Sequence, residues 1–557
     1  MQFDLIYEEI GDYGRYQRWV VWTSASTGFY SGLLILTSYF VLAVPEHRCA
    51  IPGLENDTFE IQNDYHREIV NRTIPLATPS DDFYYDQCHY RLVNYDGHDM
   101  IDKCNKWVYD KSKFTTSLAA DLDMVCDDTI LKSNAQMVNF AGIFVGSLLT
   151  GVISDKFGRK LTMCTSLTLI FACSLGMAWS PNYIVFIVLT FLVGFFNVGQ
   201  WMPSFVIRVE FVGPPERRFA GFLDSFFALF GRVVLTGMAF YIRDWKTLLI
   251  VASLPGILYL PFWLKQVFPE SPRWLFSRGK IEEGKQVIYR WAKWNKIHLP
   301  DRFFEKVLAE KEEEKQDEGN LWNLFSSKVL AIRTTLIFII WLNVCLGYYG
   351  LTFNAGDLGS DLYLNFFLQA LVEIPALIIC ILILDRVGRK PVLVGSMFLG
   401  GTGCLATIFT LIYLPDKPVA TTIFALVGKM GLGGGFTTLY VFSGELFPTV
   451  VRNSGLGASS CMARIGGMVA PYIAELDSFV DGRYGKALPQ VVFAVLSFAA
   501  GIAALFLPET LNRFLPETIE QGKDFGKEDN DKKAVDKTEV INIKTISEST
   551  DIQHGTQ

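Results

Sequence analysis

Charged residues are scarce in this sequence. Only 19% of its 557 residues are Asp, Glu, Lys or Arg, whereas 50% are hydrophobic and 14% are aromatic. Soluble domains carry about 25% charged residues because their surfaces face water. The composition therefore excludes an ordinary soluble protein, and the chain is longer than a single hydrophobic core requires.

Side chains and motifs that carry chemistry are also few. The chain has six histidines, and none lies in a long apolar run. It has no glycine-rich nucleotide loop, no paired metal-ligand spacing and no nucleophile elbow. We therefore predict that the protein is not an enzyme, that it holds no cofactor or metal, and that it binds no nucleic acid. Pumping driven by ATP is also not expected.

The sequence instead has long apolar runs such as 183–198 and 366–384. About 20 residues cross ~30 Å of hydrocarbon, and lipid cannot satisfy free backbone groups, so such runs must be helices. This predicts an all-α membrane protein with twelve transmembrane helices, near 20–44, 134–154, 161–179, 182–207, 219–241, 245–266, 330–352, 361–384, 391–413, 418–443, 453–476 and 487–507.

The distribution of charge predicts which parts face the cytoplasm. The short links 155–160 and 385–390 are basic, whereas 45–133 is long, polar and acidic. Because basic short loops stay in the cytoplasm, we predict a multi-pass plasma-membrane protein with both termini cytoplasmic and 45–133 extracellular. The predicted segments are a cytoplasmic N-terminus (1–19), a six-helix half that contains the loop (20–266), a cytoplasmic linker (267–329), a second six-helix half (330–507) and a cytoplasmic tail that is disordered after about 520 (508–557).

The loop 45–133 has two further features of an extracellular segment. Four of the ten cysteines lie in it: Cys49, Cys88, Cys104 and Cys126. Four cysteines can form two disulfides in three ways, and the sequence does not choose among them. It also contains two glycosylation acceptor sequences, which begin at Asn56 and Asn71. We expect disulfides and glycans in this loop.

Three short motifs occur twice, in the same order and at a nearly constant separation. They are Asp155-x-x-Gly-Arg159-Lys with Asp385-x-x-Gly-Arg389-Lys, Glu210 before Arg217 with Glu445 before Arg452, and Pro269-Glu-Ser with Pro508-Glu-Thr. Three ordered repeats indicate duplication of a six-helix unit. Two parallel six-helix repeats are an architecture of alternating-access carriers.

The charged residues of these motifs lie at the cytoplasmic ends of predicted helices. Acid–base pairs there can hold the two halves together and break when the carrier turns inward, because desolvation and attraction nearly cancel in partly buried pairs. We therefore predict a gating role for Asp155, Arg159, Glu210, Arg217, Asp385, Arg389, Glu445 and Arg452. The alternative is a static topology signal of solvated charges.

Several segments resemble one particular family. They are Pro45–Cys49, Cys104-Asn-Lys-Trp-Val-Tyr-Asp-Lys-Ser-Lys-Phe-Thr-Thr116, Asp121-Leu-Asp-Met-Val-Cys126, Pro269-Glu-Ser-Pro-Arg-Trp-Leu275 and Gly444-Glu-Leu-Phe-Pro-Thr-Val-Val-Arg-Asn453. In these the chain resembles the organic cation, organic anion and carnitine transporters of the major facilitator superfamily, over roughly residues 8 to 520. The resemblance implies the major facilitator fold and a small organic ion as substrate. Many members carry six cysteines in the loop, so one customary bridge is in doubt.

Arg464 is the charge that the resemblance makes most informative. It lies about 16 Å along the predicted helix 453–476, near mid-membrane. An arginine there costs roughly 2.5–3.5 kcal/mol and should face a wet cavity or a partner. Cation transporters that resemble this chain tend to have an aspartate here, whereas anion and carnitine transporters have an arginine, whose fork can bind a carboxylate. The alternative for Arg464 is an internal ion pair.

Three other charged residues are predicted near the membrane centre. Arg232 could contact substrate or a structural partner, and it is too far along the helix from Asp224 to bridge it directly. Lys429 fits a structural bond to a carbonyl of a neighbouring helix. Glu373 could neutralise one of these cations or contact the ammonium group of a zwitterion, and sequence does not decide between these roles.

Aromatic residues complete the predicted binding site. The resemblance implies a central cavity lined with aromatic side chains on the seventh and tenth helices, and we predict substrate contact for Tyr349, Tyr440, Phe436 and Trp341. The alternative for each of them is ordinary helix packing.

Together these features predict a polyspecific carrier of organic anions or zwitterions, such as carnitine-like compounds. Its partners would be the substrate, the bilayer and a coupled ion or exchange substrate. One alternative is an organic cation transporter that uses Glu373 or Asp224. A remote alternative is a non-transporting membrane protein that binds through its outer loop.

Overall fold

The computed structural model describes residues 5–76, 85–93, 99–300, 303–304, 321–356, 361–479 and 483–526. Twelve long helical segments, which we call spans 1 to 12, form the body of the chain. In order they are Arg15–Ala25 with Thr27–Ile35 and Thr37–Val41, Ile130–Phe157, Arg159–Met177, Tyr183–Phe211, Arg217–Tyr241, Trp245–Ser253 continued by the 3-10 turns Leu254–Trp263, Lys328–Phe353, Leu362–Val387, Arg389–Tyr413, Pro418–Leu446, Arg452–Ala474 and Arg483–Leu505.

Ten of these spans are long and apolar enough to cross a membrane. Span 1 is not among them because it is broken into three helices, and span 11 is not because it is rich in glycine and serine and contains Arg464. All twelve predicted positions are helical, which confirms the predicted fold. We call spans 1–6 the N half and spans 7–12 the C half.

Shorter elements connect the spans. The helices are Leu5–Ile10, Asp64–Thr73, Leu118–Asp121, Pro272–Ser277, Ile281–Asn295 and Ile519–Asp524, and the 3-10 turns are Cys126–Asp128, Pro214–Glu216, Leu321–Phe325, Asn354–Gly356, Thr449–Val451 and Leu476–Phe479. The strands are β1 (His47–Cys49), β2 (His89–Val93), β3 (Asp99–Lys103) and β4 (Trp107–Tyr109). The expectation of an all-α chain therefore holds for the membrane body but not for the loop 45–133.

The loop 45–133 folds into a small domain. Of its described residues, β1 pairs with β4 and β2 with β3, both antiparallel; the disulfide Cys49–Cys104 links the two pairs, and Cys88–Cys126 links the start of β2 to the turn Cys126–Asp128. This selects one of the three pairings that sequence left open. Asn56 and Asn71 are both exposed, and Asn71 Oδ1 accepts a hydrogen bond of 2.6 Å from Tyr85.

A buried charge cluster holds the loop domain together. Arg48 donates from both terminal nitrogens to Asp57, at 2.6 and 3.1 Å, and the backbone N–H of Ile51 donates to the same carboxylate at 2.8 Å. His66 Nε2 lies 3.0 Å from Asp57 Oδ1, and its Nδ1 accepts from the backbone N–H of Gln62. Burial alone would raise the pKa of Asp57, but the donors from Arg48 and Ile51 outweigh it and lower that pKa below its usual value.

The lowered pKa of Asp57 makes the loop domain acid-sensitive. A carboxyl group whose pKa is lower in the folded state stabilises the fold above its unfolded pKa of about 4, and this contribution is lost as pH falls through the folded pKa. We expect Asp57→Asn to remove that pH dependence and to destabilise the domain by about 3–5 kcal/mol at neutral pH, since it leaves Arg48 buried and unpaired. Hydrogen exchange of the β1 and β4 amides between pH 7 and 3 measures both effects. Asp64→Asn is the control because its carboxylate is exposed, and equal protection in both variants would contradict the prediction.

The two halves contact each other on the side of the membrane that carries the loop domain, which we call the loop side. Span 2 packs on span 11, where Lys132 pairs with Glu475 at 2.8 Å and Tyr472 donates to Asn134 at 2.6 Å. Span 5 packs on span 8. The ring of Phe366 in span 8 also lies 4.9–5.1 Å from two aromatic rings of span 1.

The segment 112–116 of the loop domain, which we call the strap, seals this contact. It is fixed to the N half because Thr115 N–H donates to Arg243 O at 3.0 Å and Arg243 donates back to Ser112 O at 2.7 Å. On the C half, Tyr363 donates to Lys113 O at 3.1 Å. Among the described residues, the strap is therefore bonded to the N half at Arg243 and meets the C half at Tyr363, whose hydroxyl donates to Lys113 O and whose ring lies 5.9 Å from that of Phe114.

The opposite side, which we call the motif side, has two separate inner layers. The helix Ile281–Asn295 packs on the N-terminal segment, where Tyr16 N–H donates to Asn295 Oδ1 at 3.0 Å. The helix Ile519–Asp524 packs on the C half, where Arg333 donates to the carbonyls of Gly522 and Phe525. This helix ends at Asp524; residues 527–557 lie outside the described residues, so the predicted disorder after about 520 stays a prediction.

Candidate functional site

The membrane centre contains a charge network that joins the two halves. Arg232 of span 5 pairs with Glu373 of span 8, with Nη2 to Oε2 at 2.9 Å and Nη1 to Oε1 at 3.1 Å. Tyr348 of span 7 donates to Glu373 Oε1 at 2.7 Å and accepts from Arg232 at 2.8 Å. One carboxylate therefore connects a cation of the N half to the C half.

Lys429 of span 10 is the second cation at this carboxylate. Its Nζ lies 3.5 Å from Glu373 Oε1 and donates to Tyr348 O at 2.8 Å and to Thr352 Oγ1 at 2.5 Å. It also lies 3.3 Å from the centre of the Tyr348 ring. The predicted bond to a neighbouring carbonyl is confirmed, and Glu373 is shown to face both cations.

Arg464 differs from these residues because no carboxylate neutralises it. Its Nη1 donates to Ser460 Oγ at 2.6 Å and to Ser460 O at 3.1 Å, one turn earlier in span 11. Across the part of the chain that the structure describes, Arg464 makes no ion pair. The phenols that interact with it electrostatically are Tyr440 and Tyr349.

The predicted aromatic residues form one contiguous group beside these charges. Tyr348 stacks on Phe436 with ring centres 5.6 Å apart, and Tyr349 meets Tyr348 edge-on at 5.1 Å. Phe436 lies 5.4 Å from Tyr440. Trp341 is placed behind this group: it is fully buried, packs edge-on against Tyr440 at 4.5 Å, and donates from its indole to Ser443.

The centre as a whole carries an excess of positive charge. Arg232, Lys429 and Arg464 face it, and Glu373 is the acid that the structure places among them. A buried charge without a partner is costly, so an anionic group is the species that this arrangement attracts. The two cations at Glu373 already share a carboxylate, whereas Arg464 has no carboxylate partner among the described residues.

Sequence reasoning missed a second buried ion pair, in the N half. Arg208 of span 4 donates from Nη1 to Asp224 Oδ1 of span 5 at 3.1 Å, and both side chains are almost fully buried, at 0% and 4% exposed. The predicted absence of a direct bridge between Asp224 and Arg232 is confirmed. Arg208 escaped notice because the predicted fourth helix ended at residue 207, whereas span 4 continues to Phe211.

The repeated motifs form one network in each half. In the N half, Arg159 pairs with Asp155 at 2.9 Å and lies 3.9 Å from Glu210. In the C half, Arg389 pairs with Asp385 at 3.1 Å and with Glu445 at 3.0 Å. The structure places each set within its own half, and a gating role for these residues stays a prediction.

A third acid completes each network. Glu270 accepts from the backbone N–H of Lys160, and Glu509 accepts from those of Arg389 and Lys390, at the starts of spans 3 and 9. Each of these helices begins after a glycine with a positive φ, Gly158 at 112° and Gly388 at 113°, a conformation that other residues rarely adopt.

Two of the acids differ between the halves in the direction of their pKa shifts. Burial raises the pKa of Glu270 above its usual value, whereas at the more exposed Glu509 the backbone donors outweigh burial and lower the pKa. The remaining predicted gate residues lie beside these networks. Arg452 donates to Phe447 O and Thr449 Oγ1, and the guanidinium of Arg217 lies 5.9 Å from the centre of the Tyr7 ring.

Two matching halves with charged side chains at their central contact define a secondary carrier of the major facilitator fold. The structural comparison agrees: a partially occluded, inward-open structure of the xylose transporter XylE from E. coli has a TM-score of 0.59, with 15% identity over 90% of this chain and 100% of that one. A second XylE structure, inward-open, has a TM-score of 0.54 and covers 71% of this chain and 89% of that one. At such identity the likeness shows the fold alone.

Sequence comparisons give the family. The model of the sugar (and other) transporter family matches residues 91–521. The chain is 33% identical to the organic cation transporter protein of Drosophila melanogaster, over 95% of both chains, and 33% identical to solute carrier family 22 member 13 of Homo sapiens, over 93% of both. It is 31% identical to the organic cation/carnitine transporter 2 of Homo sapiens, again over 93% of both. The chain belongs to this transporter family and, within it, to solute carrier family 22, so it is a multi-pass membrane transporter and not an enzyme.

Proposed function

We propose that this transporter carries organic anions or zwitterions, such as carnitine-like compounds, and that Arg464 binds the substrate carboxylate. The observation that supports this most directly is that Arg464 has no carboxylate partner among the residues that the structure describes, while Arg232 and Lys429 share Glu373. A carboxylate can accept two parallel hydrogen bonds from a guanidinium group. The bound anion would supply the charge that Arg464 lacks.

The aromatic group gives a zwitterion its second contact. Tyr349, Phe436 and Tyr440 are only partly buried; Tyr349 and Tyr440 interact electrostatically with Arg464, and the Phe436 ring lies 5.4 Å from that of Tyr440. A quaternary ammonium group is attracted to aromatic faces by about 0.5–2 kcal/mol. This arrangement therefore supports a ligand with a carboxylate at one end and an ammonium group at the other.

Transport by alternating access follows from where the halves meet. Polar and aromatic contacts hold them together on the loop side, whereas the motif networks are each confined to one half. We propose that the motif side is cytoplasmic, that both termini are cytoplasmic, and that this conformation faces inward. In the outward conformation the gate residues would hold the motif side closed.

The same orientation supports the remaining assignments. With the loop domain outside, at the plasma membrane, its two disulfides lie in an oxidising environment and Asn56 and Asn71 are exposed acceptors for glycans.

The names of several relatives support organic cations as the second candidate. The acids that such a function would use are Glu373 and Asp224, and in the described conformation both are already paired with cations. A cation would have to displace Arg232 or Arg208. The excess positive charge at the centre therefore favours the anion or zwitterion.

An uptake panel distinguishes these functions. The full chain is expressed in cells and tested with labelled p-aminohippurate as anion, carnitine as zwitterion and tetraethylammonium as cation, each with and without sodium. We expect uptake of the anion or the zwitterion above that of vector-only cells. Uptake of tetraethylammonium alone would establish the cation function, and absence of all uptake in cells with verified surface expression would favour a binding protein.

A further inference from the structure

The buried pair between Arg208 and Asp224 is isolated from the substrate centre. Asp224 precedes Arg232 by eight residues in span 5, which is about 12 Å along the helix. Arg208 lies three residues before the motif-side end of span 4, at Phe211. The pair thus sits between the central charge network and the motif network of the N half.

Arg208 has more donors than partners. Its Nη1 donates to Asp224 Oδ1 at 3.1 Å and to Ser204 Oγ at 2.8 Å, while its Nε and Nη2 are buried and have no hydrogen-bond partner in the described part of the chain. A structural ion pair is expected to satisfy the donors that it buries, because each buried donor without a partner destabilises the fold. The Arg208 guanidinium therefore makes fewer hydrogen bonds than is usual for a buried arginine.

The surroundings of Asp224 contain little that could replace Arg208 as its counter-ion. Span 1 packs its backbone against the carboxylate, so that a Cβ on Gly28 would lie 2.9 Å from Asp224 Oδ1. The indole of Trp201 faces it from span 4, and from the end of span 6 the hydroxyl of Tyr259, which donates to Ser26 O, lies near it. Arg208 is the charged group that faces it.

The charges on span 5 itself are about two helical turns away. In sequence, Arg217 lies seven residues before Asp224 and Arg232 lies eight residues after it. Span 1 has no charged residue between Arg18 and Glu46. Among the described side chains Arg208 is the cation at Asp224, and gain or loss of a proton by Asp224 changes the charge of the pair.

We propose that Asp224 is a proton-binding site that couples transport to a pH gradient. In the described conformation it is ionised and holds Arg208. When the halves rearrange and water reaches the carboxylate, a proton from that water binds Asp224 Oδ and the bond to Arg208 Nη1 breaks. Release of the proton on the other side of the membrane restores the pair, so one proton crosses per cycle and nothing is oxidised or reduced.

The position of Arg208 supplies the coupling. Arg208 lies three residues, or about 4.5 Å, from the motif-side end of span 4. Once it is released from Asp224, its side chain can extend over this distance and reach the water on the motif side. Glu210, two residues further on, belongs to the motif network. Protonation of Asp224 thus changes the charge at the end of the helix that carries a predicted gate residue.

The test measures protons and substrate together. The full chain is reconstituted in proteoliposomes that contain the pH dye pyranine, with valinomycin and potassium to clamp the membrane potential. Each probe of the panel that the protein carries is added, and the ratio of protons moved to probe moved is determined. For the wild type we expect a ratio near one, and accumulation of up to tenfold when a gradient of one pH unit is imposed in the direction that drives entry, since a factor of ten corresponds to 1.4 kcal/mol.

Variants assign the proton to this site. We expect the ratio to fall below about a tenth in Asp224→Asn and in the double variant Arg208→Gln/Asp224→Asn, which removes both charges, and to stay near one in Asp224→Glu and in Asp416→Asn, an exposed control. A wild-type ratio near zero, an unchanged ratio in either neutral variant, or loss of all transport in both of them would overturn the proposal. Because every carried probe is measured, a carrier of cations alone would refute the proposed substrate class and still test the proton site.

Discussion

Replacing Arg464 by alanine is expected to reduce the uptake of the carboxylate probe by about 30-fold at low probe concentration. That factor corresponds to about 2 kcal/mol, the loss expected when one partner of a charged hydrogen-bonded pair is removed. The folded protein should tolerate the change, because the variant removes an unpaired charge from the membrane centre rather than breaking an ion pair. Concentration dependence of uptake in cells with matched surface expression measures the effect, which should appear mainly in the apparent KM.

Three companion variants make this result specific. Arg464→Lys keeps the charge but not the two-pronged geometry, so an intermediate loss is expected. Arg464→Asp reverses the charge and should abolish carboxylate uptake while improving that of tetraethylammonium. Arg67→Ala in the loop domain, where the side chain is exposed, is the control for arginine removal. Unchanged carboxylate uptake in well-expressed Arg464→Ala would refute the assigned role.

The second large effect is a difference in stability between variants of the two residues of the central ion pair, Glu373 and Arg232. Glu373→Gln leaves both Arg232 and Lys429 without a carboxylate, so we expect a loss of about 3–5 kcal/mol in stability, the range for breaking a buried pair. Arg232→Gln leaves Glu373 with Lys429 at 3.5 Å and with the hydroxyl of Tyr348, so its loss should be clearly smaller. Thermal unfolding in detergent, followed by size-exclusion chromatography, ranks the two variants.

The double variant separates coupling from simple truncation. Glu373→Gln leaves two cations without a carboxylate, whereas Arg232→Gln/Glu373→Gln leaves only Lys429 so. The double variant should therefore be more stable than Glu373→Gln alone. Such non-additivity is typical of residues in direct contact. Glu517→Gln, at an exposed position outside the spans, is the control for the acid-to-amide change. If Arg232→Gln proved the more damaging single change, Glu373 would not be the shared partner that the geometry indicates.

Sequence predicted the features that depend on local composition. The length of an apolar run decides that a segment such as Leu362–Val387 is a membrane helix, and this needs no knowledge of its neighbours. The repeated motifs were equally visible, because Gly158 and Gly388, with the acids and bases around them, keep the same spacing in both halves. The twelve helices and their two halves were therefore predictable.

The sequence did not predict which side chains on different helices or strands become partners in ion pairs and disulfides when the chain folds. Glu373 lies 141 residues from Arg232, and its choice between neutralising that cation and remaining free depends on how spans 5 and 8 meet. The pairing of Cys49 with Cys104 likewise follows from the alignment of β1 with β4, which no spacing encodes. The predicted end of the fourth helix was four residues too early, so Arg208 was placed outside the membrane and its pair with Asp224 was not predicted.

The strap has a practical consequence for ligands raised against the outside of the protein. It is bonded to the N half at Arg243, so we expect it to move with that half, and in the described part of the chain its hydrogen bond to the C half comes from Tyr363. An antibody fragment whose epitope covers both the strap and the start of span 8 would bridge surfaces that must separate whenever the loop side opens, and would act as an inhibitor without entering the binding site. An antibody fragment that binds the loop domain near Asn56 would contact one half alone, and could label the protein without inhibiting transport.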